Sequence, residues 1–295
     1  MSHKRNHLRT AAAFASSLVL AFGLAACGSP DDIPADDSPA ASESSVGSRT
    51  PEEIQAAGSI RLGVFSDKSP FGYVDSQGDY AGYDIYYGER IAEDLGVDVE
   101  WVPVEAASRV EFLETGKVDV ILANFTVTPE RAEKVDFANP YMKVSLGAVS
   151  AADSPVSEDQ LADSKILVVK GTTADTWVDE NLPDADVQEY EQYSQLTNAL
   201  ADGRGDVWIT DNTEALAYSA QNTDFVTSIT SFGSQDTIAP AVQKGNTELA
   251  TWLNDEQVTL AEEDFFHADF EETLKPVYGD VISPDELVVE GGKVD

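Results

Sequence analysis

Val118–Tyr141, VDVILANFTVTPERAEKVDFANPY, is the stretch whose reading decides the fold. Val118–Ala123 is a short apolar run with β-branched residues and reads as a buried strand. Thr128-Pro129-Glu130-Arg131 then opens a helix, with Thr128 a good N-cap and Pro129 suited to the first helical position. A capping box would put Glu or Gln three residues after the cap. The chain puts Arg131 there. A cation in the first turn opposes the helix dipole at a cost of ~0.3–1 kcal/mol. An anion at the helix mouth, where free N–H groups favour one, would offset that cost. Asn124 and Thr126 lie on the strand-to-helix loop and can add polar contacts to the same guest. The alternative is a structural ion pair from Arg131 to a nearby Asp or Glu.

On the N-terminal side, Ile60–Phe65 reads as a strand and Ser66–Gly72 as a loop. Gly72–Asp75 with Ser76-Gln77-Gly78 predicts a hairpin arm. Tyr83, Tyr87, Ile91 and Leu95 recur every four residues and mark an amphipathic helix closed by Gly96. Val97–Val104 is the next strand. Ser108-Arg109-Val110-Glu111 has the capping-box form, so Arg109 also falls in a first turn. Two arginines, each set against a helix dipole, suggest one shared anionic guest.

On the C-terminal side, Val144–Val149 is an extended crossing segment, and a second α/β series follows. Ile166–Val169 is a strand ending in Lys170-Gly171-Thr172-Thr173, with a helix over Ala174–Glu180. Val187–Tyr190 is a strand, Gln195–Ala201 a helix, and Val207–Thr210 a strand with Asp211 at its carboxyl end. Asp211-Asn212-Thr213-Glu214 again has the capping-box form, so Asp211 reads equally as a helix cap or as a site residue. Ile238–Val242 is a second crossing segment, followed by helices over Thr247–Leu260 and Glu262–Leu274. This alternation predicts an α/β fold of parallel or mixed sheets flanked by helices. Ligands of such folds bind outside the carboxyl ends of strands, where Asn124–Arg131, Gly171–Thr173 and Asp211 all lie. There is no GxGxxG, and the Gly171 loop is too short for a GxxxxGK[ST] motif, so a nucleotide site has no support.

Composition narrows the chemistry further. Cys27 is the only cysteine, and His3 and His7 lie in the extreme N-terminus, leaving His267 as the sole histidine beyond it. Nucleophiles that depend on a neighbouring histidine and zinc sites of Cys and His are thereby excluded, and no cofactor or metal site is expected. Lys4, Arg5 and Arg9 precede the apolar stretch Ala11–Ala26, which has the form of a secretion signal. Leu24-Ala25-Ala26-Cys27 resembles the lipobox of bacterial lipoproteins, in which the cysteine is acylated; an ordinary signal peptide with a chance cysteine is the alternative. No Asp or Glu precedes Cys27, so losing those three cations takes the formal net charge from −36 to −39. Such a field disfavours nucleic acid and anionic membrane surfaces. The segment from Gly28 to about Pro51 is rich in Ser, Ala, Pro and Asp and reads as a flexible tether.

One half of the chain thus offers Arg131, Arg109, Asn124 and Thr126 to a carboxylate. The other offers Asp211 to a cation and the Thr172 and Thr173 amides as donors. A free α-amino acid satisfies both. TVTPERAEKVDFANPY, GYDIYYGERIAEDLG, the KGTT loop and ITDNTEAL, in that order, resemble the family-3 solute-binding proteins of polar amino acid ABC importers, from Ser59 to about the C-terminus. The resemblance implies a two-lobed, periplasmic-binding-protein-like fold of type II in which two crossing strands act as a hinge. Its segments would be a signal peptide over 1–26, a lipidated tether over 27–58, lobe 1 over 59–146 plus 240–295, and lobe 2 over 147–239. It implies that Arg131 binds the ligand's α-carboxylate with Asn124 and Thr126, that Thr173 donates its amide, and that Asp211 takes the α-ammonium.

GVFSDKSPFGYVD, VEAASRVEFL, ILANFT and EETLKPVYGD are most similar to a cysteine-binding branch. Acidic-amino-acid binders carry an arginine matching Arg109. Phe65 and Lys68 stand where the basic-amino-acid and glutamine branches use an acid and an aromatic, and Ala106 replaces their second aromatic. A small or anionic ligand is therefore expected: cysteine first, then glutamate or aspartate, or glutamine. The implied partners are a permease with its ATPase, and the membrane through lipid alone. The protein would be an extracytoplasmic monomer on the outer face of the cytoplasmic membrane, with no nucleic acid bound. An enzyme on the same fold, such as a cyclohexadienyl-dehydratase-like protein with a carboxylate general acid, is the competing class.

Overall fold

The computed structural model describes residues 47–294. The signal segment and Cys27 lie outside the described residues. The first sheet has the order β5-β1-β6-β13-β7. Here β1 is Ser59–Val64, β2 Asp67–Lys68, β3 Gly72–Val74, β4 Tyr80–Ala81, β5 Asp98–Pro103, β6 Val120–Ile121, β7 Val135–Phe137 and β13 Ala241–Gln243. β1 runs parallel to β5 and β6, while β13 pairs antiparallel with β6 and β7. The second sheet repeats that plan as β10-β9-β11-β8-β12. It comprises β8 (Met142–Ala151), β9 (Lys165–Val169), β10 (Asp186–Tyr190), β11 (Val207–Asp211) and β12 (Phe225–Ile238). β9 is parallel to β10 and β11, and β8 is antiparallel to β11 and β12. These are the mixed sheets that the alternating pattern predicts.

The crossing segments are longer than the sequence suggests. β8 and β12 pair along their whole length, from Met142 opposite Ile238 to Ala151 opposite Phe225, with three breaks in register. Met142, Val144 and Ile238 pack in the core of the first sheet. Leu146, Ala148, Ile229 and Phe232 pack in the core of the second. One two-stranded ribbon therefore carries both passages of the chain, and its bulges supply the local twist that a hinge needs. The expected Ile238–Val242 crossing is only the end of this ribbon, since Ala241–Gln243 already belongs to the first sheet.

The helices follow the apolar periodicity. α1 is Pro51–Ala57, α2 Tyr83–Leu95, α3 Arg109–Glu114, α4 Pro129–Ala132, α5 Thr173–Asn181, α6 Tyr193–Ala201, α7 Asn212–Gln221 and α8 Thr247–Leu260. α2 buries Tyr83, Tyr87, Ile91 and Leu95 and stops at left-handed Gly96. α1 corrects the tether: Thr50 and Glu53 form a capping box, Ile54 is fully buried, and Arg49 pairs with Asp119. A single apolar anchor and one good cap order residues that composition alone marks as loose. The expected helix over Glu262–Leu274 is interrupted at Asp264, whose φ of 52° cannot continue a helix. It resumes as α9 (Phe265–Asp269) and a π-turn over Phe270–Leu274.

Candidate functional site

Arg109 and Arg131 stand side by side at the mouth between the two sheets, each over the ring of Phe125 at 4.4 and 4.8 Å. Arg109 donates from Nε to the Ala106 carbonyl at 2.9 Å, from Nη1 to the Ala123 carbonyl at 2.9 Å and the Asn124 carbonyl at 3.3 Å, and from Nη2 to the Gly171 carbonyl at 3.1 Å. Arg131 donates from Nη1 to the Thr126 carbonyl at 2.8 Å and from Nη2 to the same Gly171 carbonyl at 3.0 Å. Among the described residues neither guanidinium meets a carboxylate, so the ion-pair alternative is not realised. A guanidinium has five N–H donors. Arg109 spends four on backbone and Arg131 only two, which leaves Arg131 free to take an anion with both arms.

The helix-dipole argument does not survive. α4 has four residues, too few to build a dipole, and Thr128 Oγ1 already accepts the Arg131 amide at 3.2 Å. Burial and electrostatic repulsion make the case for an anion instead. Burial pulls the Arg131 guanidinium down to about 9, and the adjacent Arg109 pushes the same way, partly countered by Asp211. Burial likewise pulls Arg109 down to about 10. The capping box assigned to Ser108 is also displaced. It is formed by Glu105 and Ser108 around a 3₁₀ turn, Ala106–Ser108, which hands over to α3 at Arg109.

Asn124 and Thr126 line the same crevice, both buried. Asn124 sits at a φ of 45°, held there by the carboxylate of Asp84, which accepts its amide at 2.9 Å and the Tyr141 hydroxyl at 2.6 Å. Both polar atoms of the Asn124 side chain are buried without a partner. Burial raises Asp84 to about 7, opposed by its bonds to Tyr141 and Asn124.

Across the crevice, Asp211 heads α7 but makes no capping bond through its side chain. Its Oδ2 is 2.7 Å from Lys68 Nζ, so of the two readings of Asp211 the cap is excluded. Lys68 is almost wholly buried, with the rings of Phe65, Phe71 and Tyr193 around its ammonium at 5.7, 5.4 and 4.8 Å. Burial alone would lower Lys68, but Asp211, Tyr193 and Glu214 hold it above its ordinary value. Glu214 Oε2 lies 3.9 Å from Lys68 Nζ without a hydrogen-bond partner, and burial raises Glu214 to about 8. Phe65 closes the gap edge-on against Tyr193 at 5.3 Å.

Gly171 is where the two sides touch. Its φ is 75°, and a Cβ there would lie 2.6 Å from the Ala107 backbone. Thr172 is the N-cap of α5: its Oγ1 accepts the Asp175 amide at 3.2 Å, and its own amide bonds the Val169 carbonyl at 3.3 Å. Thr172 therefore has no amide to offer, whereas Thr173, the first helical residue, has no carbonyl behind it in the helix. A cavity of about 370 Å³ lined by Thr128, Arg131, Leu146, Thr173, Trp177 and Asp236 flanks Arg131. Another of about 360 Å³ lies outside Phe65 and Tyr193. The largest, about 710 Å³, is far from these residues, around Ala151–Val156 and Phe225.

Sequence reasoning missed Asp84, Tyr193 and Glu214. Asp84 read as part of the helix from Tyr83, and Tyr193 fell in the connection between the Val187–Tyr190 strand and the helix expected from Gln195, which in fact begins at Tyr193. Glu214 was visible only as the fourth member of a capping box that does not form.

The model of the bacterial extracellular solute-binding proteins, family 3, matches residues 60–268. The chain belongs to this family. Among solved structures, this solute-binding protein superposes on the solute receptor for L-cysteine of Neisseria gonorrhoeae with a TM-score of 0.80 and 46% identity, covering 82% of this chain and all of that one. The cysteine-binding protein of Campylobacter jejuni gives 0.80 and 46%, covering 81% of this chain and 98% of that one. The ABC transporter glutamine-binding protein GlnH of Bacillus subtilis (strain 168) is 31% identical over 201 residues, 66% of this chain and 73% of its own. The two-lobed fold expected of the family is the one observed.

Proposed function

We propose that this solute-binding protein is the capture subunit of an ABC importer and holds one free polar L-amino acid, cysteine before glutamate, aspartate or glutamine, between its lobes. The observation that carries this reading is the pair of adjacent guanidiniums, Arg109 buried and Arg131 half-buried, that meet no carboxylate among the described residues, set opposite the buried carboxylate of Asp211. An α-carboxylate and an α-ammonium on one carbon complement that arrangement. Arg131 takes the α-carboxylate with its unspent donors, assisted by Asn124, Thr126 and the Thr173 amide. Asp211 takes the α-ammonium on Oδ1, since Oδ2 is engaged by Lys68. Arg109 braces the crevice by tying Ala106, Ala123, Asn124 and Gly171 together, and Phe65 and Lys68 face the ligand side chain. The named neighbours, cysteine receptors at 46% identity, support cysteine as the first ligand.

The lobes would divide as 59–146 plus 240–295 and 147–239, rocking about the β8–β12 ribbon. Closure is held by Arg109 and Arg131 on Gly171, by Lys68 on Asp211, and by the Ser194 amide on Asp67 at 3.0 Å. The family is extracellular, and anchoring through acylated Cys27 would keep the protein beside its permease. Intact mass of the membrane-extracted protein, compared with Cys27→Ala, tests that anchor.

Calorimetric titration with cysteine, serine, aspartate, glutamate and glutamine tests the central reading. Micromolar or tighter binding of one of them is expected, and no binding of any would end it. The dehydratase class has one supporting feature, the buried carboxyl of Glu214, which burial raises to about 8. Consumption of a bound acid by the protein would establish it.

A further inference from the structure

Lys68 is a cation in excess. Its ammonium carries three N–H donors. Among the described residues only Asp211 Oδ2 accepts one of them. The remaining donors are sealed beneath Phe65, Phe71 and Tyr193. Three positive groups, Arg109, Arg131 and Lys68, thus stand together, and among the described residues the one carboxylate that hydrogen-bonds any of them is that of Asp211. Nearby are Asp67, which accepts the Ser194 amide, and the buried carboxyls of Asp84, raised by burial to about 7, and Glu214, raised to about 8, so that near neutrality Asp84 is about half protonated and Glu214 mostly so. Burial holds the Tyr193 hydroxyl above its ordinary value. A zwitterion brings no net charge to this imbalance, whereas a ligand with an anionic side chain brings one negative charge.

The surroundings of Lys68 select which anion. A side-chain carboxylate wants several N–H donors around two oxygens. Lys68 Nζ offers a single ammonium set among aromatic rings, which suits a single polarisable atom, and sulfur contacts aromatic edges favourably. The edge-on Phe65–Tyr193 contact limits the side chain to a short one.

We propose that the cleft binds cysteine as its thiolate, with the sulfur anion on Lys68 Nζ within the Phe65–Phe71–Tyr193 cage. The proposal rests on the reading of the crevice as an amino-acid site and adds the ionisation state of the ligand. On binding, the S–H bond breaks, its electron pair stays on sulfur, and the proton leaves to the buffer. Lys68 stays an ammonium throughout.

The test is calorimetric titration of the full chain near pH 7 in two buffers of different ionisation enthalpy. A free thiol with a pKa near 8.5 is almost wholly protonated there, so release of about one proton per cysteine bound is expected. Serine, which has no comparable acid, should bind far more weakly and release none. Cysteine affinity should rise by about tenfold per pH unit below the thiol pKa. A thiolate ultraviolet band should appear with cysteine and be absent with serine. Lys68→Met should abolish proton release and bring cysteine down towards serine, while Lys68→Arg restores part of the release. If Lys68→Met fails to fold, the two-buffer comparison and the ultraviolet band on the unmodified protein decide alone.

Cysteine bound without proton release overturns the proposal, as does equal release by serine, which would locate the proton on Glu214. Tighter binding of aspartate or glutamate also overturns it and leaves the amino-acid reading standing. If no amino acid binds, that reading falls and the thiolate falls with it.

Discussion

Arg131 costs the unliganded protein something and repays it on binding. Burial and the neighbouring Arg109 both oppose its charge, and among the described residues its acceptors are the carbonyls of Thr126 and Gly171. Arg131→Met should therefore leave the unliganded protein at least as stable as the parent, because a poorly compensated buried charge is gone. The same change should weaken the best amino acid by about 3 kcal/mol, roughly a hundredfold in Kd, through loss of a charge-assisted pair. Thermal melts with and without ligand check both halves: the unliganded Tm holds or rises, and the ligand-induced shift disappears. Arg109→Met should behave in the opposite way. Its donors are nearly all spent on backbone, so the unliganded Tm should drop, and affinity should fall only as far as the crevice loosens. Residue identity in the sequence picked out both arginines. It could not tell their roles apart, because the carbonyls that distinguish them come from Ala106, Ala123 and Asn124 for Arg109 and from Thr126 for Arg131, and only folding brings these to the guanidiniums.

At the scale of elements, the hinge ribbon and the KGTT turn decide whether the two sheets can meet. Gly171 combines a left-handed φ of 75° with a backbone approach that would put a Cβ 2.6 Å from Ala107. An L-residue pays about 1–2 kcal/mol for that backbone region before any clash. Gly171→Ala should thus fold, since α5 keeps its Thr172 cap, yet close incompletely. Small-angle scattering should show no ligand-induced decrease in radius of gyration, and affinity should fall by about tenfold or more. Wild-type-like compaction would mean that the turn simply yields. Most strands and the long helices were legible here because apolar period and turn residues are local signals, whereas the return strand β12 was read only at its last residue, Ile238. The capping boxes at Ser108 and Asp211 misled for the converse reason. At Asp211 the cap lost its carboxylate to Lys68, 143 positions away. At Ser108 a 3₁₀ turn drew the hydroxyl back to Glu105. No local pattern reports a competitor that only folding brings close.

The whole molecule carries a formal charge of −36, yet several carboxyls are buried with too few partners to stay ionised. Burial raises Asp84 to about 7, and Glu214 and Glu256 to about 8, each opposed only partly by its neighbours. Burial also raises Asp269 well above the carboxylate range, and one of its oxygens has no partner. For an acid whose pKa is higher folded than unfolded, the native state binds the extra proton between the two values. Stability then falls as pH rises, by about 1.4 kcal/mol per pH unit for each group in that window. His267, held above its ordinary value by Glu290 and Asp285 despite partial burial, acts in the same direction, its contribution fading as pH rises through the folded value. Asp119 opposes them: although burial would raise it, Arg49 and Arg61 depress it, so its contribution is lost only in strong acid. Self-repulsion among the surface carboxylates also grows with pH. The balance places maximum stability of the unliganded protein on the acid side, near pH 5, with a decline towards pH 8. Thermal melts across that range should show Tm falling steadily, and Glu256→Gln should flatten the slope, since an amide keeps the Tyr87 bond at 3.0 Å without a proton to lose. A Tm that rises from pH 5 to pH 8 would mean that these carboxyls ionise freely in the native state, and with Asp84 and Glu214 ionised the positive excess assigned to the crevice would vanish.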